Sequence, residues 1–122
     1  MKDTILIVED DNADMELFKA RLKKLDVRYD IVFCKQYSEA IKHLKNENTA
    51  LIFLDFNLPD NWGISTVRDT HTYFKTVPII GMTSIANDLT IKEATKAGAK
   101  DVLIKAYMTP DTIQATINHY CA

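Results

Sequence analysis

Four short, continuously apolar runs each stop at a polar residue, and that recurrence limits the folds open to this chain more than any other feature. Ile5-Leu6-Ile7-Val8 gives way to Glu9 and Asp10, and Leu51-Ile52-Phe53-Leu54 to Asp55. Pro78-Ile79-Ile80-Gly81-Met82 gives way to Thr83, and Val102-Leu103-Ile104 to Lys105. Runs of this length with no polar alternation are strands covered on both faces, as in a parallel sheet.

The stretches between the runs carry helical periodicity. Met15, Phe18, Leu22 and Leu25 form one stripe after a cap at Asp11 or Asn12, which predicts a helix to about Leu25. Arg28 to Cys34 reads as a further, less buried strand, and Ser38 with Glu39 opens a helix through Asn46 with Ala40, Ile41 and Leu44 inward. After the turn Leu58-Pro59-Asp60-Asn61, Ile64, Val67 and Phe74 space out a Thr-rich helix. Asn87 or Asp88 caps a helix carrying Leu89, Ile91, Ala94 and Ala97, with Gly98 as its stop. Thr109-Pro110 starts the last helix, whose stripe is Ile113, Ile117 and Tyr120.

Five strand-helix units with short connections require right-handed crossovers and a sheet covered on both faces. The expected architecture is α/β: a flavodoxin-like, doubly wound, five-stranded parallel sheet in the order 2-1-3-4-5, flanked by five helices. In that order the C-terminal ends of the first, third and fourth strands meet at the switch point, so Glu9, Asp10, Asp55 and Thr83 converge there.

With 122 residues, one domain spanning 1–122 is expected, with no output domain. Fifteen basic and 17 acidic residues are mixed along the chain for a net charge of −2, so no nucleic acid or membrane partner is indicated. Arg21, Lys23 and Lys24 read as a solvated helix face. The first apolar run is too short for a signal peptide or a membrane span, and a cytoplasmic location is the default expectation. Cys34 and Cys121 lie in no metal or redox spacing, and His43, His71 and His119 are scattered, so zinc and triad chemistry have no support.

Converging carboxylates repel one another and call for a cation. An oxygen-only donor set favours Mg2+, with Asp10 and Asp55 as direct ligands and Glu9 acting through water. Asp55 is also a candidate nucleophile toward a phosphoryl group, for which Lys105 and the Thr83 hydroxyl supply a cation and a hydrogen bond. Singly, each of these residues is an ordinary turn or surface residue. Their joint placement at four strand ends carries the reading.

The motifs Ile5-Leu6-Ile7-Val8-Glu9-Asp10-Asp11, Leu54-Asp55-Phe56-Asn57-Leu58-Pro59-Asp60 with Gly63, Met82-Thr83-Ser84, and Gly98-Ala99-Lys100-Asp101 leading to Lys105 resemble those of response-regulator receiver domains over essentially the whole chain. The resemblance implies that Glu9 and Asp10 are the acidic pair, Asp55 the phosphoacceptor, and the Asn57 carbonyl a further Mg2+ ligand. It implies Thr83 as the switch hydroxyl and Lys105 as the phosphate-binding lysine. The partner it implies is a histidine kinase or histidine phosphotransfer protein in a two-component phosphorelay. The chain would accept and later lose the phosphoryl group without being a turnover enzyme, and would switch a face formed by the fourth helix, fifth strand and fifth helix.

Several positions depart from that pattern. Ala106 stands where the family has a proline joined by a cis bond, leaving cis and trans both open for Lys105–Ala106. Val102 stands where the family has an aromatic three residues before the lysine, so either Tyr107 substitutes for it or the switch differs. Ser84 is larger than usual beside the acceptor, and Trp62 follows the active strand, either packing at the start of the third helix or meeting a partner. Ala106 and Val102 motivate a second reading, a pseudo-receiver that binds protein partners independently of phosphorylation.

Overall fold

The computed structural model describes residues 3–61, 63–85 and 87–121; Trp62 lies outside the described residues. The elements run β1 (Thr4–Val8), α1 (Asn12–Leu22), β2 (Asp30–Cys34), α2 (Tyr37–Asn46), β3 (Thr49–Asp55), α3 (Ile64–Tyr73), β4 (Ile79–Thr83), α4 (Asp88–Ala97), β5 (Asp101–Ile104) and α5 (Pro110–Tyr120), with a 3-10 turn over Lys105–Tyr107. All five strands pair in parallel in the order β2-β1-β3-β4-β5, the expected flavodoxin-like arrangement.

Two layers of side chains explain the unbroken apolar runs. Leu6, Val8, Ile52, Leu54 and Ile79 face α2, α3 and α4, where they meet Ala40, Leu44, Val67 and Ala94. Their sequence neighbours Ile5, Ile7, Leu51, Phe53, Ile80 and Met82 face α1 and α5, against Phe18, Ile113 and Ile117. Successive residues of a strand point to opposite faces, so a strand buried twice has no polar position to spare.

Capping side chains set most helix starts. Asp11, rather than Asn12, caps α1 by accepting from the N–H groups of Ala13 and Asp14. Asn87 caps α4 through Leu89 and Thr90, and Thr109 caps α5 ahead of Pro110. Helix α2 differs from expectation: it starts at Tyr37, not Ser38, and its N-cap residue Gln36 makes no side-chain capping bond. Instead Asp60, from the loop after β3, accepts from Tyr37 N at 2.7 Å and Ser38 N at 2.9 Å.

Other boundaries shift for similar reasons. Helix α1 ends at Leu22, and Leu25 packs on the core from the following turn. Strand β2 begins at Asp30 rather than Arg28, opposite Thr4 of β1. Leu89 is not an inward residue of α4: it is 62% exposed, leaving Ala94 as that helix's buried contact. Lys23 and Lys24 are solvated as expected, but Arg21 is half-buried and donates to the Lys105 carbonyl at 3.4 Å.

Candidate functional site

The C-terminal edge of the sheet gathers the polar residues that end the strands. Glu9 follows β1 and is held by donation of its own N–H to the Cys34 carbonyl at 2.9 Å; its side chain is buried. Asp10 is exposed at the rim. Asp55 is the last residue of β3 and is buried, with Oδ1 accepting from Asn57 N at 3.2 Å. Glu9, Asp10 and Asp55 each offer a carboxylate oxygen, all within 4.8 Å of one another.

Lys105 reaches into this group from the 3-10 turn after β5. Its Nζ lies 2.6 Å from Glu9 Oε1, 3.0 Å from Asp14 Oδ2 and 3.3 Å from Asp55 Oδ2. No peptide bond among the described residues is cis, so the Lys105–Ala106 bond is trans. The tight turn carries the ammonium to the acids without a cis bond.

The electrostatics follow from this crowding. Burial, and then the hydrogen-bonded Asp55 carboxyl beside it, push Glu9 up to about 8 against the opposing pull of Lys105. Burial alone would lower Lys105, but Glu9, Asp55 and Asp14 outweigh it and raise the ammonium above its ordinary range. Lys105 therefore stays charged beside a Glu9 carboxyl that gives up its proton far less readily than an ordinary glutamate. Oxygen donors at this spacing suit a hard ion such as Mg2+.

Thr83 ends β4 on the neighbouring strand, where Met82 lies in register with Asp55. Its hydroxyl does not touch the acids; it exchanges contacts with the backbone of Ile85 at 3.3 and 3.4 Å. Asn57 is exposed and meets the site through its N–H. Tyr107, 70% exposed, points to solvent, while Val102 is partly buried against the core. The aromatic at 107 thus does not take the interior place of the one lacking at 102. Ser84 lines a cavity of about 280 Å³ beside Lys105, together with Asp14, Phe18 and Arg21.

Three participants were not anticipated from the sequence. Asp14 was visible only as an acid in the first turn of a capped helix, a common place for one. Asp60 looked like a turn residue, and Arg21 like a surface charge. Phe56 adds a packing feature: its ring occupies the space a Cβ on Gly81 of β4 would need.

Residues 5–118 match the family model of the response regulator receiver domain. Regulatory protein LuxO of Vibrio vulnificus is 33% identical over 113 residues, 93% of this chain and 24% of that protein. The CAI-1 autoinducer sensor kinase/phosphatase CqsS of Vibrio cholerae is 28% identical over 103 residues, 82% of this chain and 15% of that protein. The chain thus spans about a quarter or less of these curated relatives. Among solved structures, a two-component response regulator from Clostridium difficile superposes with a TM-score of 0.84 at 27% identity, covering 98% of this chain and 95% of that one.

Proposed function

Because this chain belongs to the response regulator receiver domain family, we propose that it accepts a phosphoryl group on Asp55 from a histidine kinase or a histidine phosphotransfer protein. The observation that carries the reading is the Lys105 ammonium, held 3.3 Å from Asp55 at the edge of the acidic group. The same ammonium is placed to meet oxygens added to Asp55.

In this reading Asp10, Asp55 and the Asn57 carbonyl hold Mg2+, with Glu9 assisting. The bound ion supplies charge neutralisation to the transferring group. The Asp55 carboxylate attacks phosphorus, and the bond from phosphorus to the donor nitrogen breaks with its electron pair returning to the imidazole. Lys105 turns from Asp55 toward the new oxygens. The Thr83 hydroxyl exchanges its contacts with Ile85 for one to the phosphoryl group. The result is a stored aspartyl phosphate, and water later releases it; the chain is a switch rather than a turnover enzyme.

The added charge, about −1.5 to −2, is read out on the surface of α4, β5 and α5. Ile85, Leu89 and Tyr107 are exposed around that surface at 69%, 62% and 70%, and Ile85 is the residue that Thr83 holds in this state. A target protein binds or leaves there as Thr83 moves.

The test is intact-protein mass after incubation with acetyl phosphate and Mg2+, run beside Asp55→Asn. A gain of about 80 Da in the parent alone supports the reading. No gain, where Mg2+ binding is confirmed, would overturn it in favour of a binding module independent of phosphorylation.

A further inference from the structure

An ammonium group has three donors, and Lys105 directs its own at three carboxylates: Glu9, Asp14 and Asp55. Glu9 and Asp55 belong to the acidic group whose oxygens lie within 4.8 Å of one another. Asp14 does not. An ammonium on Glu9 and Asp55 competes with any cation for the same oxygens, whereas one on Asp14 does not compete.

We propose that Asp14 is a positioning residue that draws the Lys105 ammonium aside, so that Glu9, Asp10 and Asp55 can take a divalent cation while Lys105 keeps an ionic partner. The inference rests on the reading of that acidic group as a metal site.

The backbone supports this division of labour. Asp14 sits in the first turn of α1, fixed by the Asp11 cap that binds its own N–H at 3.1 Å. Two turns further along the same helix, Arg21 donates to the carbonyl of Lys105. Helix α1 therefore holds Lys105 at both ends, by its carbonyl and by its ammonium. Asp14, at 39% side-chain exposure against 3% and 4% for Glu9 and Asp55, is the one of these three partners that stands in contact with solvent and outside the acidic group. It can keep the ammonium when the buried acids turn to another cation.

The experiment is calorimetric titration of the full chain with Mg2+ for the parent, Asp14→Asn, Lys105→Met and the double variant. Lys105→Met is expected to tighten binding, because it removes the competitor. Asp14→Asn is expected to weaken binding by roughly three- to tenfold in the parent, since Lys105 then rests wholly on the metal-binding oxygens. In the Lys105→Met background the same change should move affinity by less than about twofold. Lys105→Gln serves as the second background should the methionine variant not fold. An equal loss in both backgrounds would show Asp14 to be a plain negative charge and would overturn the inference, as would no loss in the parent. A parent that binds no Mg2+ would overturn the metal reading beneath it, a distinct result.

Discussion

Lys105 Nζ and Glu9 Oε1 stand 2.6 Å apart, with side-chain exposures of 16% and 3%. They form the shortest ion pair of the site and join the first strand's end to the last strand's turn. Removing one partner of a buried pair leaves the other without compensation.

Lys105→Met should therefore destabilise the metal-free protein by about 2–3 kcal/mol near pH 8. The cost should shrink toward pH 6, below the value of about 8 to which Glu9 is raised, where that carboxyl holds its proton. Mg2+ should recover much of the loss. Urea denaturation with EDTA and with Mg2+, at both pH values, checks all three statements.

Glu9 gives a pH dependence of defined sign. Its carboxyl is raised from 4.5 to about 8 in the fold, so between those values the folded state holds a proton that the unfolded chain has lost. Stability then falls as pH rises through this window and levels off above about 8. In EDTA, Glu9→Gln should flatten that slope. A urea midpoint that stays independent of pH from 5 to 8 in the parent would contradict this.

Asp60 connects the loop after β3 to the start of α2. Burial would raise its carboxyl, but the N–H groups of Ser38 and Tyr37 overcome that and hold it below its usual range. Asp60→Ala should cost about 1 kcal/mol, the ordinary worth of a helix cap. Because the folded value is depressed, the contribution is present above about 3.8 and is lost as pH falls through the folded value. Thermal melts of parent and variant should accordingly converge in acid.

The Phe56–Gly81 contact predicts a compensating pair. Gly81→Ala puts a methyl group into the Phe56 ring and should cost about 1–3 kcal/mol through overpacking. Phe56→Leu in the same chain should return part of that loss, a coupling that a double-mutant cycle of denaturation free energies measures directly.

The amino-acid sequence by itself determined the strands, their parallel alternation with helices, the order of the sheet, and the gathering of Glu9, Asp10 and Asp55 at one edge. These follow from local signals: unbroken apolar runs, capping residues at Asp11 or Asn12, at Asn87 or Asp88 and at Thr109, and the near-obligatory hand of the crossovers. Tertiary structure alone decided that Asp14 meets Lys105 across 91 positions of sequence, that Asp60 rather than Ser38 opens α2, and that Leu89 faces solvent. Each depends on how a helix is rotated about its axis or how a loop closes, and those angles are set by packing between distant elements. The trans 3-10 turn at Lys105 belongs with them. Its path is fixed by where the ammonium finds its acids and where α1 holds its carbonyl, and neither partner is near it in the chain.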